Sequence, residues 1–236
     1  MAVGPVIRIV SGKGGVGKTL CATTLALAEA RAGARVLLVE LHGRDAISGL
    51  LGVEPAGYKM REVFDNLWLS DINPQDAIHE YVLLTLRFEA LYKAVFENRL
   101  VRHFIRLVPS LSELVMLGKV WYHAQEQIRG RRRFDRIIVD APATGHARAL
   151  LRAPRAVADS VPPGPMRDNA RLIDAMLTDP ATTRLHVVTT PEDMPVTEAL
   201  ELLALERELG IVGGTLIING RTPPLPEGAL EAVRPL

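Results

Sequence analysis

The sequence is short of several things that would each point to a particular kind of protein. One cysteine, Cys21, in 236 residues excludes an internal disulfide and any cysteine-rich metal centre, and it fits a reducing, cytoplasmic setting. Charge of one sign is missing too: 28 Lys and Arg face 27 Asp and Glu, so the surface as a whole is not made for nucleic acid or an anionic membrane. No run approaches the ~18 apolar residues that a membrane span needs. The opening residues MAVGPVIRIVSGKGG lack the charged-then-apolar pattern of a secretory leader. Internal repeats and low-complexity tracts are absent. With 48 % apolar and 23 % charged residues, the chain reads as an ordinary globular protein rather than a disordered one.

What is present has an α/β rhythm. Val6–Val10 is a short apolar, β-branched run, and glycine-rich sequence follows it at once. Thr19–Ala32 is Ala/Leu-rich at helical spacing and stops at Gly33. Further buried-strand runs occur at Arg35–Glu40, Arg136–Asp140, Leu185–Thr190 and Thr215–Asn219, with helices expected at Arg148–Ala153, Asn169–Thr178 and Val196–Leu209. Continuous apolar strands separated by helices predict a doubly wound, mostly parallel sheet covered on both faces. The stretch from about residue 53 to 130 breaks the rhythm and reads as a helical insertion within one domain spanning 1–236. In it, Leu67–Ser70 and Phe104–Pro109 are candidate short strands. Between them lies a long helical segment, Ala77–Val108, with an apolar stripe at Tyr81, Leu84, Phe88, Leu91 and Val95.

One motif carries chemistry. Gly12-Lys13-Gly14-Gly15-Val16-Gly17-Lys18-Thr19 fits G-x-x-x-x-G-K-[ST] and sits between an apolar strand and an Ala-rich helix, the context such a phosphate-binding loop requires. Glycines let successive backbone N–H groups curl round a phosphate, and the helix N-terminus adds partial positive charge. Lys18 is placed to bridge β- and γ-phosphate oxygens, and the Thr19 hydroxyl to ligate Mg²⁺. Asp140 closes the apolar run Ile137-Ile138-Val139, as the acid that holds the water shell of a Mg²⁺ does.

The second lysine of the loop, Lys13, resembles the deviant form shared by the MinD, ParA, nitrogenase iron protein and ArsA group. There the early lysine reaches the nucleotide of a facing subunit, which implies ATP-dependent dimerisation. Within that group, Asp140-Ala-Pro-Ala-Thr-Gly-His146 resembles the switch II of the ArsA family of anion-pump and tail-anchored-protein-targeting ATPases. So do Ile72–Tyr81, the Ser112–Trp121 stretch and Thr189–Glu198. The resemblance implies Mg-dependent ATP binding and hydrolysis by a homodimer or a heterodimer with a paralogous subunit, and a hydrophobic client or partner protein. It also implies adenine recognition by Asn219 and sensing of the γ-phosphate by the Gly145 backbone, with His146 ordering that loop.

The sequence departs from the family pattern in four places. His42 stands where the family's water-orienting switch I aspartate would be, with Asp45 and Glu40 as the nearby carboxylates, so slow hydrolysis is expected. Leu20 replaces a second hydroxyl residue near the α-phosphate. The family's metal and metalloid cysteines are missing, so neither zinc nor arsenite is expected to bind. The chain is also short for the family. Two other readings are a positioning ATPase of the MinD/ParA kind, supported only by the basic run Arg129–Arg136, and an ATP-binding scaffold with little hydrolysis. Charge runs are usually solvated loops, so nucleic acid is not the expected partner.

Overall fold

The computed structural model describes residues 6–41, 45–86 and 110–222. Seven strands form one sheet: β1 (Ile7–Gly12), β2 (Val36–Leu41), β3 (Arg61–Phe64), β4 (Leu67–Ile72), β7 (Arg136–Ala143), β8 (Thr183–Thr189) and β9 (Gly213–Ile218). Their order is β3-β4-β2-β7-β1-β8-β9. Every neighbouring pair is parallel except β3–β4, a hairpin at the edge. The remaining strands, β5 (Gln127–Ile128) and β6 (Arg131–Arg132), make a small separate hairpin.

The apolar strand runs are double-sided because helices cover both faces. Ile7 and Ile9 of β1 point to one side with Val39, Ile137 and Leu185, against α4 (Leu111–Gln125), α5 (Thr144–Ser160), α6 (Pro165–Thr178) and α7 (Asp193–Leu209). Val10, Leu38, Ile138 and Val188 point to the other, against α1 (Lys18–Arg31). The buried face of α1 is Ala22, Thr23, Ala26 and Ala30, and such small side chains let the helix lie close on the sheet. Two further helices, α2 (Ala46–Leu51) and α3 (Pro74–Leu86), complete the described elements.

The stretch read as a helical insertion contributes more than helices. β3 and β4 fall inside it and extend the main sheet, with β4 pairing residue for residue with β2 from Val36↔Leu67 to Leu41↔Ile72. Only the first part of the long helical segment, α3, is described. Phe88, Leu91, Val95 and the candidate strand Phe104–Pro109 lie outside the described residues, as does His42. The helix expected to stop at Ala153 continues through Pro154 to Ser160. Pro154 removes one intrahelical bond, but Leu150, Leu151, Ala153, Pro154 and Val157 are all buried, and that apolar face offsets the loss.

Phe134, just before β7, is the aromatic anchor at the N-terminal end of the parallel strands. Its ring is 1 % exposed and meets Trp68 edge-on at 5.5 Å, His123 at 6.3 Å and the Arg133 guanidinium at 5.3 Å. Truncating it empties a filled site that β4, α4 and β7 share. Phe134→Ala is therefore expected to lower stability by about 3–5 kcal/mol, seen as an earlier midpoint in urea unfolding; an unchanged midpoint would show that the anchor is dispensable.

Candidate functional site

The C-terminal ends of β1 and β7 lie side by side, and the loop 13–17 leaves β1 there to enter α1. This is the crevice beyond the carboxyl ends of parallel strands where doubly wound folds take their ligands. The loop is tightly constrained. Gly12 has φ +153°, and a β-carbon on it would stand 2.0 Å from the Val188 carbonyl oxygen, so β1 can pass β8 this closely only with glycine. Gly17 is left-handed at φ +91°, and its missing β-carbon leaves room for the Asn219 amide, which would otherwise be 2.3 Å away. Gly14 and Gly15 are exposed at the loop tip, whereas Val16 is buried and pins the loop to the core.

Lys18 Nζ donates to the Lys13 carbonyl at 3.0 Å, folding the side chain back across the loop. The Thr19 hydroxyl donates to Asp140 Oδ2 at 2.7 Å. Asp140 is 7 % exposed, and its second oxygen, Oδ1, is buried without a hydrogen-bond partner among the described residues. Burial pushes the Asp140 carboxyl up to about 6; the Thr19 hydroxyl and Lys18 oppose this, and Glu40 adds to it. An ionised buried carboxylate with one oxygen unsatisfied is a place for a cation. Hydroxyl and carboxylate oxygens suit Mg²⁺, which takes one or two protein ligands and completes its shell with phosphates and water. Among the described residues no three His, Cys, Asp or Glu converge as an all-protein metal cage, and such a Mg²⁺ needs none.

Several expected site residues have other local roles. Glu40 is buried and accepts the backbone N–H groups of Ala46 and Ile47, both at 3.1 Å, so its carboxylate is committed to the start of α2. Asp45 is left-handed at φ 52° at that same helix start, with no side-chain capping bond. Leu20 is half exposed on the first turn of α1. Gly145 and His146 lie exposed in the first turn of α5, which begins directly after β7, so the switch II residues form a strand end and a helix start. Asn219 follows β9, and its side-chain amide donates to the Val16 carbonyl at 2.9 Å, tying the end of the sheet to the phosphate loop.

One participant went unrecognised. Glu198 of α7 forms an ion pair with Lys13. The Lys13 ammonium beside it holds the Glu198 carboxyl below the usual range. Glu198 therefore joins the phosphate loop to α7. It closes the Thr189–Glu198 stretch, but nothing in a single sequence says that a glutamate 185 residues away meets Lys13.

The model of the family described as anion-transporting ATPases matches residues 6–162, which hold the loop, Asp140 and all of α5. The chain belongs to that family. Its relatives include ATPase BagA of Mycobacterium tuberculosis, 29 % identical over 223 residues, covering 92 % of this chain and 65 % of BagA. ATPase GET3 of Kluyveromyces lactis is 28 % identical over 154 residues, 61 % of this chain and 44 % of GET3. ATPase ARSA1 of Chlamydomonas reinhardtii is 26 % identical over 275 residues, 89 % of this chain and 34 % of ARSA1. The chain thus spans 65 % of BagA and less of the other two. As in the sequence reading, the family is that of the ArsA-type ATPases, and the parallel sheet has the P-loop arrangement that membership requires. No helix among the described residues is long and apolar enough to cross a membrane.

The buried Asp140 makes stability without ligand depend on pH. Above about pH 6 the folded chain carries a buried charge that the unfolded chain keeps in water, and the penalty fades as pH falls towards about 4 and the folded form takes up a proton first. Asp140→Asn is expected to stabilise the nucleotide-free protein by about 2–3 kcal/mol at about pH 8 and by little at about pH 4. Urea unfolding across this range checks it, and a gap independent of pH would contradict it.

Proposed function

We propose that the chain is a Mg²⁺-dependent, ATP-binding and ATP-hydrolysing switch that works as a dimer in the cytoplasm. The observation that carries this reading is the contact of Thr19 with a buried, half-satisfied Asp140 beside the loop that presents Lys18. Nucleotide phosphates would lie in the cradle of backbone N–H groups from Gly14 to Thr19, at the positive end of α1. Lys18, now resting on the Lys13 carbonyl, has a flexible stem and turns to the β- and γ-phosphate oxygens. Thr19 and Asp140 would hold Mg²⁺, which supplies charge neutralisation at the phosphate oxygens. Asn219, anchored through its amide to Val16, keeps its carbonyl oxygen available for the exocyclic amine of adenine.

In hydrolysis, water adds to the γ-phosphorus and the bond to the β,γ-bridging oxygen breaks, leaving ADP and phosphate. The group that orients the water belongs to the segment between β2 and α2. Asp45 is its described carboxylate, since Glu40 is committed to the backbone, and His42 lies outside the described residues. Lys13 has a different part in the proposal. Its bond to Glu198 holds it within its own subunit, and exchange of that partner for the phosphates of a facing subunit couples nucleotide to assembly. Handling of a hydrophobic client rests on the family resemblance alone. Tyr81, the described start of the apolar stripe, packs half-buried against the core.

Two measurements test the reading. Lys18→Ala is expected to slow single-turnover ATP hydrolysis roughly 100-fold or more, and hydrolysis at the wild-type rate would refute the assignment of the loop. Lys13→Ala should still bind nucleotide but lose the ATP-dependent rise in mass seen by light scattering. Assembly that persists in this variant removes Lys13 from the interface, while hydrolysis that His42→Asp does not accelerate removes residue 42 from the step.

A further inference from the structure

The opposite end of the sheet carries a second feature that nucleotide chemistry leaves unused. β5 and β6 form a two-residue hairpin in which Gln127 faces Arg132 and Ile128 faces Arg131. Its turn is Arg129-Gly130, with φ of 51° and 76°, both left-handed as the tightest hairpin turn demands. Asn, Asp or Gly suits the first of these positions, and an arginine there costs about 1 kcal/mol of backbone strain. Local folding preference therefore does not account for Arg129.

Residues 127–132 are all exposed, and Ile128 is 51 % exposed. Ile128 and Arg131 share one face of the hairpin and, with Arg129, line a cavity of about 480 Å³ whose other walls are Trp68, Arg35 and Arg133. Two of these guanidinium groups are neutralised at home. Arg35 holds Asp135 through two bonds, at 2.8 and 3.0 Å, and Arg133 holds Glu126 at 2.6 Å. The guanidinium groups of Arg129 and Arg131, and of Arg132 on the other face, have no hydrogen bond or ion pair with any described residue. The cavity therefore has an apolar lining from Trp68 and Ile128 and a cationic rim whose charge the chain itself does not satisfy.

We propose that this cavity is a docking site for an acidic segment of a partner protein, one that carries an apolar side chain flanked by carboxylates. The apolar side chain fills the space between Trp68 and Ile128, and the flanking carboxylates pair with Arg129 and Arg131. A flat bilayer would meet the hairpin tip and leave the space behind it empty. The site lies where β2, β4 and β7 begin, whereas the phosphate loop lies where β1 and β7 end, so a partner can dock without covering the nucleotide. Docking at this end is independent of what the nucleotide site does.

The test uses the full chain and a fluorescein-labelled peptide, Glu-Glu-Leu-Phe-Glu-Glu, read by anisotropy. The wild type is expected to bind it, with affinity falling as salt rises. Joint Arg129→Glu and Arg131→Glu substitution should weaken binding by about tenfold or more. A peptide with Ala in place of Leu-Phe should bind several times more weakly, as should Ile128→Ala with the original peptide. Arg129→Asn separates folding from docking: it relieves the strained turn and should raise the melting temperature while weakening the peptide. Unchanged melting and nucleotide affinity in the charge-reversed chain show that it is folded. The proposal is overturned if wild type does not bind the peptide or if charge reversal leaves binding unchanged. Preference for oligothymidine or for phosphatidylserine vesicles over the peptide, lost on the same reversal, would overturn it in favour of nucleic acid or membrane.

Discussion

Asp140 touches Thr19 because β7 lies beside β1 and parallel to it, with Val10 opposite Asp140. Residues 121 positions apart in the chain are thereby held at 2.7 Å. Everything else in the site is arranged round that contact. The loop can start only because Gly12 lets β1 pass the Val188 carbonyl, and α1 can follow only because its alanines seat it on the sheet. β7 is the strand between β1 and β2, and Phe134 packs its beginning against Trp68 and His123. The packing at one end of β7 thus fixes the chemistry at the other.

The same contact explains why the site is electrostatically unfinished. Asp140 is buried beside Glu40, a second carboxylate, and the described residues satisfy only one of its oxygens. Glu40 is stabilised by two backbone donors at the start of α2. A buried carboxylate in that condition is an unfavourable element of the empty fold and a favourable one for a cation bound with phosphate. The cations of the loop are held in check likewise. Lys18 rests on a carbonyl, and Lys13 on Glu198. Each partner is one that an anionic ligand can displace, because a carbonyl or a partly exposed carboxylate competes weakly with a phosphate chain.

Much of this was legible in the sequence, and for a physical reason. A loop that wraps backbone N–H groups round a phosphate needs glycines and a lysine at fixed local offsets, so Gly12–Thr19 announces itself within eight residues. Buried parallel strands need continuous apolar runs, so β1, β2, β7, β8 and β9 were each anticipated to within a few residues. The misjudged elements are those that tertiary context decides. β3 is too short to stand out along the chain, and the candidate strand Leu67–Ser70 is seen to join the main sheet, as β4, only once it is paired with β2. Helix α5 runs through Pro154 because its buried face compensates a lost bond, which no local preference foretells.

By itself, then, the sequence determined the class of fold, the phosphate loop and the acid that faces it, since each is written in contiguous residues under local geometric constraint. The tertiary structure alone decided which distant groups complete them: Glu198 on Lys13, Asn219 on the Val16 carbonyl, and Glu40 turned to the start of α2. It also decided that a basic run, readable along the chain as a solvated loop, folds back as a hairpin beside Trp68. Such contacts depend on strand order and register, which set distances between residues that the chain keeps far apart.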